Sequence, residues 1–363
     1  MRWVVLLPVL SACGDPGTRI VVVSHDRESQ RYLLRAEDFE TLDDARELDG
    51  SVTRVLGGAE FVVDERVLTA PTLEQALDRA VREEGNAVKF SAVEGDDGWV
   101  PADYDSLSMA SIYRNLERAA ALFQDLGVAF AELGQIRTYY LLVMRRDLPG
   151  VPRQDQADNA AYSLIPGLDG FIVLKQRALD DLALGLNLGV MVHEYTHAVM
   201  ARFRWGTPPQ PDLLATPPCA AAMIEEGSSD YFGFFATGDP DFIAPSVPPA
   251  LADRDLSVER TLTDAEVLAS QPPCTKKSDA HLVGATWAAL LWAIGEQIGH
   301  DALAPILVDA LREFAPLDAP SLATLPDLVV SRLSGQARVA ACDLIDQRFA
   351  PVAGSVSSCV VGP

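Results

Sequence analysis

Five consecutive residues, His193-Glu194-Tyr195-Thr196-His197, combine the side chains that bind a cation with one that can move a proton. On a helix, residues four apart lie one turn above each other, so the two imidazoles can meet on a single ion with Glu194 beside them as a base. Leu182, Leu186 and Val190 extend the same stripe toward the N-terminus. That periodicity predicts one amphipathic helix over Ala178 to Arg204, with the histidines on its inward face. Two inward imidazoles and a carboxylate are costly to bury without a ligand.

A zinc site held by two histidines needs a third protein ligand, and a carboxylate on a neighbouring helix can supply it. Ala220 to Phe235 reads as such a helix and contains Glu225-Glu226-Gly227-Ser228-Ser229-Asp230. Glu226 and Asp230 are four apart and share a face, so Glu226 can bind the metal while Asp230 accepts the other ring N–H of a ligating histidine. Glu225 points about 100° away from Glu226 and is five residues from Asp230, which makes it the poorer ligand. Other zinc classes fail on spacing. A metzincin needs Gly at 200 and His at 203, where this chain has Met200 and Phe203; a Gly-Thr-x-x-Asp ligand starting at Gly206-Thr207 would need Asp where Gln210 stands.

The elements that must hold these residues are legible in outline. Arg19 to Val23 and Glu60 to Val63 read as strands, and Leu73 to Glu83 as a helix with Thr72 and Gln75 at capping-box spacing. Residues 13–98 therefore form a small domain, a pro-region or a β-rich extension of the next unit. Trp99-Val100-Pro101 reads as a boundary, opening that unit over 99–204. Met109, Ile112, Leu116, Ala119, Ala120 and Phe123 predict a helix over Ser106 to Leu126, ending at Gly127. Strands are expected at Thr138 to Met144 and Phe171 to Lys175, with Asn159-Ala160-Ala161-Tyr162 just before the second. After a Pro-rich loop, residues 205–363 read as all-helical: a helix starts near His281, and others span Ala302 to Phe314, Ser321 to Leu333 and Ala337 to Phe349.

Three motifs, arriving in the same order, resemble the thermolysin-type gluzincins, and more closely their fungalysin branch. They are His-Glu-Tyr-Thr-His at 193–197, Glu-Gly-Ser-Ser-Asp-Tyr-Phe at 226–232, and His281-Leu-Val-Gly-Ala-Thr-Trp287. The likeness runs from about Asp103 to Ile298. It implies an α+β, thermolysin-like zincin: a strand-containing N-terminal lobe, an all-helical C-terminal lobe and the active-site helix between them. It implies Zn²⁺ held by His193, His197 and Glu226, with Glu194 as general base for the attacking water. Asp230 would orient His193, and His281 would stabilise the oxyanion. Asn159 and Ala160 would hold the backbone of a polypeptide substrate. Two departures stand out: Glu225 occupies a position where thermolysin has an amide, and the family's catalytic tyrosine has no counterpart.

With 29 Lys and Arg against 52 Asp and Glu, the formal charge of −23 is spread along 363 residues, which excludes nucleic acid as a partner. Residues 1–12 read as a lipoprotein signal peptide: Arg2, an apolar run from Trp3, then Leu10-Ser11-Ala12-Cys13. Cys13 would carry the lipid, anchoring an exported protein to a membrane of the bacterial cell envelope. The remaining four cysteines, Cys219, Cys274, Cys342 and Cys359, contain no CxxC pair, and their even number in an exported chain points to two disulfides. Cys219–Cys274 would close the loops beside the Glu226 and His281 helices, and Cys342–Cys359 the C-terminal tail. These features together predict a zinc metalloendopeptidase. A zincin-like binding module without catalysis is the alternative, though it has less reason to keep both Glu194 and His281.

Overall fold

The computed structural model describes residues 18–175, 181–209, 219–247, 253–271 and 280–360. Cys13, Cys274 and the signal segment 1–12 lie outside them. The chain is mixed α+β, with strands concentrated in the first half and, among the described residues, only helices after Trp205.

Three sheets build the N-terminal half. In the first, Arg31–Phe39, Thr18–Asp26, Gly98–Pro101 and Ala92–Gly95 lie side by side in that order. The second places Ala160–Ile165 at one edge, then Leu168–Val173, Ile136–Tyr140, Thr53–Gly57, Asp49–Gly50 and Leu42–Asp44. Ile136–Tyr140 runs parallel to both neighbours, with Thr138 opposite Phe171 on one side and Val55 on the other. The third is Gln154–Asp155, Val143–Asp147, Glu60–Asp64 and Val81–Glu83.

This topology corrects several sequence expectations. The strand expected at Thr138 to Met144 is two strands, because Leu141 adopts φ 54° and turns the chain from the second sheet into the third. Its parallel neighbour bends at the same level: Gly57 pairs with Tyr140, Gly58 takes φ 74°, and Glu60 pairs with Val143 in the next sheet. The strand before the histidine helix is Leu168–Val173 rather than Phe171 to Lys175. The helix at 73 stops at Ala80, since Val81–Glu83 extends to pair with Glu60–Asp64, although Thr72 does cap it through the Gln75 N–H. Trp99 lies within the strand Gly98–Pro101, paired to Thr18–Asp26. Thr53–Gly57 sits inside the second sheet, between Ile136–Tyr140 and Asp49–Gly50.

The helix Tyr104–Asp125 packs beneath the first sheet and buries the six apolar residues its periodicity picked out. Its N-cap is Asp103, whose side chain accepts from the Ser106 N–H at 2.7 Å. The histidine helix spans Leu188–Trp205, not Ala178 to Arg204. Leu184–Leu186 is a 3₁₀ turn, and the chain enters the helix at Asn187, a fully buried cap whose Oδ1 accepts from the Gly189 and Val190 N–H groups. The Tyr32 hydroxyl donates to the same oxygen at 2.7 Å, fastening the N-terminal hairpin to the start of this helix.

Beyond it, Cys219–Thr237 packs against both the histidine helix and Ala280–Ile298. Three further helices, His300–Phe314, Thr324–Ser331 and Gly335–Arg348, follow within a few residues of their expected bounds. Cys342 and Cys359 are joined, and Cys219 is also disulfide-bonded. Among the described residues no helix is long and apolar enough to cross a membrane.

Candidate metal centre

Helical spacing and two close helix contacts assemble the site. His193 and His197 stand one turn apart on the histidine helix, with their Nε2 atoms 3.2 Å from each other. The next helix brings up Glu226, whose Oε2 lies 3.3 Å from His193 Nε2 and 3.7 Å from His197 Nε2. Ligand atoms of the three residues all fall within 4.8 Å of one another, so the cluster can hold a metal ion.

The outer nitrogens are fixed by carboxylates. His193 Nδ1 lies 2.9 Å from Asp230 Oδ1, and His197 Nδ1 lies 2.8 Å from Glu225 Oε1. An ionised carboxylate only accepts hydrogen bonds, so both Nδ1 atoms carry protons and, in the neutral rings, both Nε2 lone pairs face the same point. Two lone pairs and a carboxylate oxygen converging there repel one another unless a cation lies between them. Glu226 Oε2 agrees with this: it is buried and has histidine nitrogens close by, yet no hydrogen bond of good geometry. The donor set of two imidazoles and one carboxylate, with carboxylates behind the imidazoles, fits zinc coordination chemistry.

Charge balance within the cluster is strongly perturbed. For His193 and His197 burial alone would lower the pKa, but contacts with Asp230, Glu225 and Glu226 prevail, raising His193 and taking His197 well above the usual imidazole value. Burial would raise Glu226, yet His197 and its other histidine contacts hold it well below the carboxylate range. Asp230 is lowered despite complete burial because Arg254 and His193 flank it. Glu194 moves the other way: burial, the largest effect, raises it against the pull of both histidines. Its Oε2 accepts from the backbone N–H of Tyr162 at 2.8 Å.

His281 reaches the cluster from the third helix. Its Nδ1 is 2.9 Å from Glu226 Oε2, and half of its side chain is exposed. Two glycines permit that approach. A Cβ on Gly227 would sit 2.2 Å from the Gly284 carbonyl oxygen, and one on Gly284 would sit 2.9 Å from Glu226 Cβ. The helices therefore touch backbone to backbone directly beside Glu226, and Trp287 donates from its indole N–H to Ser228 Oγ at 3.0 Å, fixing their rotation.

His193, Glu194, His197, Glu225, Glu226 and His281 line one cleft of ≈ 690 Å³. Its opposite wall is the edge strand Ala160–Ile165, and Asn159 and Ala160, the expected substrate-backbone contacts, both line it. Leu184, Val190, Phe242 and Ile243 supply an apolar flank.

Two side chains of the cluster were not assigned from the sequence. Glu225, set aside as the poorer ligand and given no partner, holds the outer nitrogen of His197. Arg254 was not singled out at all: its Nε donates to Asp230 Oδ2 at 3.0 Å, its Nη2 makes a second close contact with Oδ1, and it lies 3.9 Å from Glu226 Oε2. The 100° step between helix neighbours could have suggested a flanking role for Glu225, whereas no spacing rule connects Arg254, across a loop, to Asp230.

No protein-family model matches the chain, and no curated protein matches it in sequence. The likeness to gluzincins is thus carried by the three short motifs.

Proposed function

We propose that this protein is a zinc-dependent endopeptidase built on a thermolysin-like α+β plan. One observation carries the reading: two imidazoles whose outer nitrogens are held by carboxylates aim their inner nitrogens at Glu226, beside the buried carboxylate of Glu194. A structural metal site would need the first arrangement but not Glu194 or a cleft.

When bound, zinc supplies Lewis acidity that polarises a carbonyl and makes a water nucleophilic near pH ~7. His193, His197 and Glu226 would hold it. Asp230 and Glu225 keep the two rings in the tautomer that presents Nε2, and Arg254 keeps Asp230 ionised within the protein interior. Glu194 takes the proton of the attacking water and returns it to the leaving amine. Burial raises its pKa, which suits a group that must both accept and release that proton. The N–H of Tyr162 fixes Oε2, leaving Oε1 as the oxygen that receives it. His281 would donate to the oxygen on which negative charge develops; removing such a donor typically lowers the rate by about 10²–10³. The edge strand beginning at Ala160, together with Asn159, would align an extended substrate by main-chain hydrogen bonding.

The test is direct. Purified protein should cleave casein, lose that activity to 1,10-phenanthroline and regain it with added Zn²⁺. A metal-loaded protein that cleaves no polypeptide would leave the binding-module reading instead. We also propose export as a lipoprotein through Cys13, which incorporation of labelled fatty acid into wild type and its loss in Cys13→Ser would test.

A further inference from the structure

The face of the histidine helix that carries the metal cluster continues past it. His193, His197, Ala201 and Arg204 follow one another at spacings of four, four and three residues, and all four line the cleft. Arg204 is seven residues beyond His197, about 10 Å along the helix axis. An extended chain advances about 3.3 Å per residue, so a peptide lying in the cleft passes Arg204 roughly three residues from the bond positioned at the metal cluster.

The neighbouring arginines differ from it. Arg202 is buried and turned to other partners: its Nε donates to Leu133 O at 2.7 Å and its Nη1 to the Tyr162 hydroxyl at 2.6 Å. Arg254, the other arginine lining the cleft, is committed to Asp230. Arg204 is half-buried, and its guanidinium lies 5.1 Å from the ring centroid of Trp205, which also lines the cleft. No carboxylate among the described residues pairs with it, in a chain where 52 acidic residues face 29 basic ones. An aromatic ring steadies a guanidinium without using its N–H groups, so the donors remain available to a ligand. The fork of donors matches a carboxylate. A formal charge of −23 disfavours a polyanionic partner, so the group accepted is a single carboxylate rather than an acidic tract.

We infer that Arg204 on Trp205 forms a subsite for one carboxylate of the bound chain, about three residues from the scissile bond. The carboxylate is a Glu or Asp side chain or the chain's own C-terminus. This deepens the peptidase reading and rests on it for the position of the scissile bond.

The experiment uses the full-length, zinc-loaded protein and short fluorogenic peptides. Glu, Gln or Lys is placed at the second to fourth residue on either side of the cleaved bond, with free and amidated C-termini. Wild type should prefer Glu over Gln by about tenfold in kcat/KM at one position, as expected for one charge-assisted contact in a half-exposed site. Arg204→Gln should bring that ratio to about one, Arg204→Lys should retain part of it, and Arg204→Glu should favour Lys. A preference that instead follows the free C-terminus over the amide identifies the terminal carboxylate as the ligand. An unchanged Glu-to-Gln ratio in folded Arg204→Gln overturns the subsite. If no peptide is cleaved by wild type, the peptidase reading fails, and binding of the same peptides to Glu194→Gln, read by tryptophan fluorescence, decides the subsite separately. There, equal affinity for Glu and Gln peptides rejects it, and a preference for Glu that Arg204→Gln removes supports it.

Discussion

Glu225 and Glu226 are adjacent carboxylates with different jobs, and substitution separates them. Glu226 is one of three donors converging on the ion site, and its Oε2 has no other well-formed bond. Glu226→Ala therefore removes a third of the protein ligands and should abolish stoichiometric zinc binding and peptidase activity together. Glu225 instead accepts from His197 Nδ1 at 2.8 Å. In Glu225→Gln the amide oxygen can still accept that proton, so the ring orientation survives and only the charge is lost. The expected cost is at the lower end of the range for groups behind a metal ligand, about 10-fold in zinc affinity, or about 1.4 kcal/mol. Glu225→Ala removes the acceptor as well and should approach about 100-fold. Asp230→Asn should be worse for folding than either Glu225 variant, because it leaves Arg254 buried beside a neutral group; breaking a buried pair typically costs about 3–5 kcal/mol. Zinc stoichiometry by mass spectrometry, competition with a chelating dye and thermal unfolding of the four variants measure all three effects. Metal lost in Glu225→Gln and retained in Glu226→Ala would show that the helix presents the other carboxylate to the ion.

Glu194→Gln should keep the fold and bind zinc, since the residue is not a ligand and an amide can still accept the Tyr162 N–H, while peptidase turnover falls by about 10²–10⁴; full activity in this variant would sink the proposed mechanism. The metal-free protein should respond to pH in two directions. His193 and His197 titrate above their ordinary 6.5, so their stabilising contacts are complete below about that pH and are lost as pH rises through the raised values. Glu226 titrates below its ordinary 4.5, so its contribution is present above that value and is lost as pH falls through the lowered one. Zinc must displace protons from these imidazoles, so added Zn²⁺ should raise the unfolding temperature more at pH 8 than at pH 5.5, and calorimetry in buffers of different ionisation enthalpy should register proton release. A zinc effect independent of pH would refute zinc binding through these imidazoles. Gly227→Ala should destabilise by about 1–3 kcal/mol or more through overpacking, against about a few tenths for the control Gly354→Ala, where the new methyl group meets nothing within 4 Å, as read by denaturant unfolding.

The candidate metal cluster was legible because helix periodicity is a local rule: His193 and His197 four apart, and Glu226 and Asp230 four apart, fix which side chains share a face before any tertiary contact is known. The same rule placed the helix start about ten residues early. The apolar stripe of Leu182, Leu186 and Val190 runs back past the helix start, and Leu186 is buried in the 3₁₀ turn Leu184–Leu186, so it looks like helix to a pattern that reads only burial. Asn187 was the available stop signal, a residue type that caps helices by accepting from the N–H groups ahead of it. The break at Leu141 offered no such signal, since a leucine at positive φ is held there by the strands on either side and not by its own preference. Arg254 was out of reach for a different reason. Its partner Asp230 is 24 residues away across a loop, and two charges at that separation meet only once the helices have placed Asp230 in the interior.

The glycines at 227 and 284 connect fold and chemistry. Glycine inside a helix is destabilising by about 0.5–1 kcal/mol relative to alanine, so two of them facing each other need a structural cause. That cause is distance: any side chain at either position would push the helices apart where Gly227 meets the Gly284 carbonyl. Glu226 immediately precedes one glycine, and His281 lies one turn before the other. Separating the helices by the width of a methyl group would draw His281 Nδ1 away from Glu226 Oε2, now 2.9 Å apart, and would loosen the Trp287 to Ser228 bond that sets the rotation of the pair. The helix crossing is therefore part of the site. Glu226 faces His193 and His197 on one side and His281 on the other only because neither helix carries a side chain at the point of contact, which is why the spacing Glu226-Gly227 and His281-x-x-Gly284 belongs with the ligands as a readable feature of this sequence.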